Sequence, residues 1–258
     1  MVFQPPSPSS SNLLPNFALA GRICDISILM LTHNAPDYVK ETIETLNTVT
    51  RKEDLDRCEL IVWDNASEEP TIKVLEELKA KGFIDKLHLS KENLLFAGGN
   101  NAAAKLADNN CKYYLLLNSD IKIKDKNWLK YLIEAKEKGN YAGVSYGFCK
   151  NPNRCDGYCL LLNRTLYDKY QLDENFQWWW GVTKLQAQIL KEGHNFFAYT
   201  HHNHLIYHYG GKSGGDFKIA KGMDTNIKEV VHWFNNPTAK VKNRPAIFLG
   251  SILEYLCK

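Results

Sequence analysis

The strongest hydrophobic signal in the chain is Tyr113 to Leu117, a bulky apolar run that ends abruptly in the polar triplet Asn118-Ser119-Asp120. An unbroken apolar run bounded by polar residues predicts a strand buried on both faces. Asp25 to Leu31 follows the same pattern and ends in Thr32-His33-Asn34, and Glu59 to Trp63 ends in Asp64-Asn65-Ala66-Ser67. Lys86 to Ser90 is a brief third strand in chain order, which makes the Tyr113 strand the fourth. Helical spacing fills the intervals. Pro36 suits a first helical turn, with Val39, Ile43 and Leu46 on one face. Thr71 to Lys81 carries Ile72, Leu75 and Leu78 and is stopped by Gly82, and Ala102 to Ala107 is alanine-rich. Strand and helix therefore alternate up to Asp120, which predicts a parallel sheet with right-handed crossovers.

The second half is less regular. Trp128 to Lys138 reads as an amphipathic helix, Asp156 to Leu162 as a strand and Thr165 to Tyr170 as a short helix. The segment from Phe176 to Gly181 contains Trp178, Trp179 and Trp180, and a helix is expected from Val182 to Glu192, ending at Gly193. Phe196 to Tyr199 and Leu205 to His208 read as short strands, and Gly210 to Gly215 as a flexible loop. The expected organisation is a Pro/Ser-rich arm over 1–22 and one domain over 23–215. That domain divides into a nucleotide-binding half, 23–120, and an acceptor-side half, 121–215. A C-terminal extension, 216–258, is expected to pack on it, because Ala246 to Leu256 is apolar.

Composition narrows the class. A chain of 258 residues with 44% hydrophobic and 24% charged residues can bury a sizeable core as an ordinary globular protein. The net charge of +3 is too small to argue for a nucleic-acid partner. No apolar stretch approaches the roughly 20 residues of a membrane span, although the apolar tail leaves peripheral membrane contact open. The N-terminus lacks the basic and apolar regions of a signal peptide. Cys24, Cys58, Cys111, Cys149, Cys155, Cys159 and Cys257 are odd in number and form no CxxC pair. They read as reduced, mostly buried thiols, and the expected location is cytoplasmic.

Candidate chemistry lies where the strands end. Thr32 and Asn34, Asp64 and Asn65, and Asn118 and Asp120 all fall at carboxyl ends of parallel strands, the rim where open α/β sheets bind ligands. Asn118 and Asp120 are two residues apart and share a face while the chain stays extended. No GxGxxG follows the first strand and no Walker lysine is present, so neither dinucleotide nor P-loop chemistry is indicated.

In this order the segments resemble the nucleotide-sugar glycosyltransferases of family 2. Ser27 to Asn34 resembles that family's opening strand and T-x-N turn, and Val62 to Ser67 its V-D-N-x-S segment. Asn93 to Asn101 is similar to its N-x-G-x-x-x-G-x-N stretch, with Leu94-Leu95 replacing the usual glycine region. Leu117-Asn118-Ser119-Asp120 looks like the L-N-x-D form of the D-x-D motif found among rhamnosyltransferase-like members, and Ile206 to Gly211 resembles the later V-x-H-x-G-G motif.

The resemblance implies a GT-A fold: α/β, a single Rossmann-like domain whose mostly parallel central sheet is flanked by helices, with a smaller antiparallel acceptor-side portion. It implies transfer of a hexose or deoxyhexose from a nucleoside diphosphate, with inversion, to a glycan, glycolipid or glycoprotein hydroxyl in polysaccharide biosynthesis. A divalent cation, Mn2+ or Mg2+, bridges the departing phosphates in such chemistry. Asp120 is then its direct ligand and His208 a second one through a neutral imidazole. Thr32, Asn34, Asp64, Asn100, Asn118 and Ser119 line the donor. Asp64 could accept the imide N–H of uracil or thymine, favouring UDP- or dTDP-sugars, while Lys212 and Ser213 could close over the diphosphate. Trp179 and Trp180 sit where the acceptor binds, since aromatic faces stack on sugar C–H faces.

One departure matters. The family's acidic pair at the start of the helix after the aromatic segment is replaced by Trp179-Trp180-Gly181-Val182-Thr183-Lys184. Loss of a general base costs about 10²–10⁴-fold. Asp156 is the first candidate to supply it, with Asp173 or Glu174 next. A retaining reaction, or a catalytically impaired sugar- or nucleotide-binding relative, are the alternatives.

Overall fold

The computed structural model describes residues 24–212, 220–235 and 237–246. The expected arm over 1–22, Ser213 and parts of the C-terminal extension (216–219, 236 and 247–258, with Cys257) lie outside the described residues. The elements run β1 (Ile26–Thr32), α1 (Pro36–Val49), α2 (Lys52–Leu55), β2 (Cys58–Asp64), α3 (Glu69–Ala80), β3 (Lys86–Leu89), α4 (Leu95–Ala104), β4 (Tyr113–Leu117) and β5 (Ile121–Ile123). They continue with α5 (Trp128–Gly139), β6 (Gly143–Tyr146), β7 (Phe148–Cys149), β8 (Arg154–Cys155), β9 (Cys159–Asn163), α6 (Arg164–Tyr170), α7 (Trp178–Lys191), β10 (Phe196–Thr200), β11 (Ile206–His208), α8 (Ile227–Trp233) and β12 (Val241–Pro245).

An 8-stranded sheet in the order β12-β10-β6-β9-β4-β1-β2-β3 forms the centre. β1 pairs in parallel with β2 and β4, and β10 in parallel with β6 and β12. β9 runs against both β4 and β6. Every other strand of this sheet thus points one way, and β9 alone is reversed. Two small antiparallel pairs, β5 with β11 and β7 with β8, stand beside it.

The period-2 alternation of strand side chains divides the core into two layers. Ile26, Ile28, Met30, Leu115, Leu117 and Leu161 face the layer under α1, α3 and α5. Leu29, Tyr114, Leu116, Leu160 and Leu162 face the other, with Ala97, Ala103, Leu185 and Ile189 of α4 and α7. Both faces of the central strands are covered, which is why their sequences read as continuous apolar runs. Two polar pairs are buried in these layers: Ser27 Oγ donates to Glu59 Oε1 at 2.6 Å, and Trp128 Nε1 donates to Thr50 Oγ1 at 2.8 Å.

Two helices start a full turn or more before their periodicity predicts. α4 begins at Leu95, and α7 begins at Trp178, so the tryptophans form its first turn. The described cysteines carry free thiols, buried except for half-buried Cys149. Burial pushes the Cys155 thiol up to about 12. No described helix is long and apolar enough to cross a membrane.

Candidate functional site

At the rim where β1 and β4 end and β9 begins, the chain leaves a cleft of about 230 Å³. Thr32, Asn100, Asn118, Ser119, Asp120, Asp156, Trp179 and His208 line it, together with His33, Asn65, Tyr158 and Trp178. Because β9 is reversed, the loop before it, Asp156-Gly157-Tyr158, reaches the same rim as the loops after the parallel strands. The Asn118 N–H donates to the Tyr158 carbonyl at 2.9 Å and joins the two walls.

Asp120 follows β4 directly and is 4% exposed. Its backbone is held from α1, where the Ser119 and Ile121 carbonyls, 2.8 and 2.7 Å from Thr42 Oγ1, share its one proton and the same oxygen accepts from the Ile121 N–H at 2.9 Å. β11 pairs with β5 so that His208 stands opposite Ile121, and the Tyr209 N–H donates to the Asp120 carbonyl at 3.0 Å. This brings His208 Nε2 to 3.1 Å from Asp120 Oδ1 and 3.3 Å from Asn118 Nδ2. The two contacts exclude one another. A protonated Nε2 donates to Asp120, whereas a bare Nε2 accepts from Asn118 or offers its lone pair to a cation. Burial works against the Asp120 anion, but the hydrogen bond and charge of His208 and the Lys212 N–H outweigh it and hold the carboxyl below its ordinary 3.8.

Neighbouring ligands on a six-coordinate Mg2+ lie roughly 3 Å apart, given bonds of about 2.1 Å. The Asp120–His208 separation of 3.1 Å fits that spacing. Among the described residues, no three His, Cys, Asp or Glu side chains converge on one point. The pair could supply one oxygen and one nitrogen to such an ion, leaving the rest of the shell to phosphate oxygens and water, the usual manner of holding it at a phosphate site.

The remaining expected residues divide. Asp64 is 1% exposed and outside the cleft lining. Its carboxylate accepts from Thr32 Oγ1 at 2.7 Å, Ser67 N at 2.9 Å and the Ser67 hydroxyl, so it closes the turn after β2. Asn34 is also set back from the lining. It holds a left-handed φ of 56°, its N–H donates to Ser67 Oγ at 2.7 Å and its Oδ1 accepts from Glu68 N at 2.8 Å. Lys212 presents its backbone N–H to Asp120 Oδ2 at 3.4 Å, while its ammonium lies 5.6 Å from the centre of the Tyr38 ring. Asn100 lines the cleft from α4, its amide donating to the Phe96 carbonyl at 2.9 Å.

Asp156 lines the cleft with its Oδ1 accepting from the Gly157 N–H at 2.7 Å and its own N–H donating to the Gly147 carbonyl at 2.9 Å. Gly147 has a φ of +98°, and a Cβ there would stand 2.7 Å from Asp156 Cβ, so only glycine lets this loop close. Asp173 is paired with Lys184 at 2.6 Å, and Glu174 accepts from Asn101 Nδ2 at 3.2 Å; neither lines the cleft. The aromatic wall is Trp178 and Trp179, the latter 43% exposed. Trp180 lies outside it, facing Arg154 at 5.8 Å with its Nε1 unpartnered. Successive helical residues diverge by about 100°, so the three rings cannot share one face.

His33, Tyr158 and Trp178 are lining residues for which no role was expected, while Asn65 lines the cleft from the strand end where it was expected. Asn65 and His33 stand inside motif segments, and His33 Nδ1 is 2.8 Å from the Asn65 carbonyl. Tyr158 carried no sequence signal beyond its apolar strand.

Residues 27–207 match the family model described as Glycosyl transferase family 2. No curated protein sequence gives a match. Among solved structures, the mannosyltransferase PcManGT from Pyrobaculum calidifontis, in complex with GDP-Man and Mn2+, is similar with a TM-score of 0.56 at 14% identity, over 67% of this chain and 53% of that one. S. aureus TarS 1-349 in complex with UDP is similar with a TM-score of 0.51 at 16% identity, over 63% of this chain and 55% of that one. The chain thus spans about half the length of these structures. At these identities the likeness establishes the fold, which is GT-A.

Proposed function

The chain belongs to glycosyl transferase family 2, and from that premise we propose that it transfers a sugar from a nucleoside diphosphate donor to a glycan or glycoconjugate hydroxyl, with inversion and with a divalent cation. The observation that carries the reading is the pairing of acids in one cleft. Among the described residues, Asp120 and Asp156 are the carboxylates that line it, and they come from adjacent strand ends. Residues 23–120 supply the donor side and residues 121–215 most of the acceptor side.

In this reading Asp120 and His208 hold Mn2+ or Mg2+, and the ion supplies positive charge for the departing diphosphate. Asn118 and Ser119 face the same phosphates. Thr32 and Asn100 lie on the donor side, joined by His33 and Asn65. Asp64, with Asn34, acts from behind by fixing the β1 and β2 turns, and Lys212 presents its N–H from the segment leading to Ser213. The acceptor hydroxyl attacks the anomeric carbon as the bond to the phosphate oxygen breaks, and Asp156 takes the hydroxyl proton. Trp179, with Trp178 beside it, provides the flat apolar surface for the acceptor ring, and Trp180 supports that turn. The preference for UDP- or dTDP-sugars loses its support, because the Asp64 carboxylate is engaged in the turn after β2; the similar structures, one in complex with UDP and one with GDP-Man and Mn2+, support a nucleotide-sugar donor and a metal without choosing a base.

The test is release of UDP or dTDP from a panel of nucleotide sugars with Mn2+ or Mg2+. Turnover abolished by chelation and by Asp120→Ala is the expected result; full turnover in Asp120→Ala refutes the cation assignment. One observation favours a second reading, a binding relative with impaired catalysis: the first turn of α7 offers tryptophans to the cleft and no acid. Metal-dependent nucleotide binding without product release from any donor–acceptor pair would select it.

A further inference from the structure

A histidine that ligates a metal is usually oriented by a hydrogen bond from its other ring nitrogen to a carboxylate, carbonyl or water. His208 has no such support from the protein among the described residues. Its contacts to Asp120 and to Asn118 both involve Nε2. An imidazole tethered at one nitrogen can still swing about its Cβ–Cγ bond, which is a soft torsion.

What restrains it is a ring. Tyr158 stacks on His208 with centroids 4.4 Å apart and planes 14° from parallel. Tyr158 is itself fixed at three points. It is 6% exposed, its carbonyl accepts from the Asn118 N–H at 2.9 Å, and its hydroxyl is hydrogen bonded to His202 Nε2. His202 in turn is tied through Nδ1 to the Tyr199 carbonyl at 3.1 Å and lies beside the buried Tyr146 ring. A line of contacts therefore runs from the β10 backbone through His202 and Tyr158 to the face of His208.

We infer that Tyr158 is a positioning residue for His208: its ring, anchored through its hydroxyl on His202, fixes the imidazole plane that presents Nε2 beside Asp120. The inference rests on the reading of Asp120 and His208 as the cation pair.

The experiment measures the Mn2+ Kd in the presence of saturating UDP, from the electron paramagnetic resonance signal of free Mn2+. In parallel it measures the UDP Kd at saturating Mn2+. Tyr158→Met, which keeps bulk and removes the flat ring, is expected to raise the Mn2+ Kd by about 10- to 100-fold, the usual cost of losing a ligand's support, with the UDP Kd at saturating Mn2+ unchanged. Tyr158→Phe and His202→Leu break the same hydrogen bond. Each should give a smaller rise, and the double variant should be no worse than either alone. An unchanged Mn2+ Kd in Tyr158→Met overturns the inference, as does a parallel loss of UDP affinity at saturating Mn2+. If Tyr158→Met does not fold, unchanged values in both anchor variants overturn it equally. Wild-type protein that binds no Mn2+ with UDP overturns the cation reading itself, and this inference with it.

Discussion

Thr42 gives the sharpest test of how the fold holds the site. It is 0% exposed on α1, and its single hydroxyl serves the residues on both sides of Asp120. Thr42→Val keeps the shape and removes donor and acceptor together. The Ile121 N–H then has no partner in a dry interior, and the Ser119 carbonyl loses its bond. Leaving one such group unsatisfied costs about 1–3 kcal/mol. A chain of this size loses about 2–4 °C of Tm per kcal/mol, so a fall of roughly 4–8 °C is expected near the middle of that range. Thr42→Ser retains the hydroxyl and should lose only the small packing contribution of a methyl, about 1 kcal/mol. The functional effect should follow the same order, because the Asp120 backbone is positioned by these bonds. The Mn2+ concentration needed for half-maximal UDP-induced stabilisation should rise about tenfold in the valine variant, as for a supporting contact, and little in the serine variant. Scanning calorimetry with and without UDP and Mn2+ reads both quantities. A valine variant with Tm within a degree of wild type and an unaltered Mn2+ requirement would refute the argument that this hydroxyl sets the site.

Three further outcomes are expected. Asp156→Asn should lower kcat by about 10²–10⁴-fold while leaving Mn2+-dependent UDP binding intact; undiminished turnover removes Asp156 as the base. Trp179→Ala should raise the acceptor KM and leave UDP binding and Tm nearly unchanged, because its ring is 43% exposed; an unchanged acceptor KM would show that the ring is not a sugar platform. Lys136 is 4% exposed on α5, and burial pushes its ammonium from 10.5 down to about 8. Between those values the unfolded chain binds more protons than the folded one, so this residue's contribution makes stability rise with pH there, and below 8 its penalty is fully present. Lys136→Met should therefore stabilise the protein at pH 7 by up to about 3 kcal/mol and abolish that rise. A destabilised variant in urea melts at neutral pH would show that the Tyr113 ring, 4.9 Å from the ammonium, compensates the burial.

The order of elements was readable from sequence where one local pattern decided it. β1, β2 and β4 are covered on both faces, so their apolar runs carried the signal without tertiary help. α4 was not readable at its start, because Gly98-Gly99-Asn100-Asn101 has loop chemistry. Its helix exists for tertiary reasons. A Cβ at Gly99 would lie 2.9 Å from Leu31 Cδ2, so the glycine permits close packing on β1, and Gln177 Oε1 accepts from the Ala97 N–H at 2.9 Å from across the domain. β12 was missed because an exposed edge strand of mixed polarity lacks alternation. At the site, Asp120, His208 and Asp156 stood in readable motifs or loops. The turn-closing bonds of Asp64, the divergence of the tryptophans and the stacking of Tyr158 depend on which side chains meet across the sheet, and no spacing rule encodes that.

The reversal of β9 has a consequence for how such a domain can diversify. A sheet whose strands all point one way can furnish its working edge only with segments that follow strands. By inverting one member, this fold also recruits a segment that precedes one, so the proposed proton acceptor arrives on a stretch of chain with its own hairpin, β7 and β8, immediately upstream. Length and sequence in that hairpin can then drift to suit new acceptors, while the turn proposed to hold the cation stays clamped to its helix.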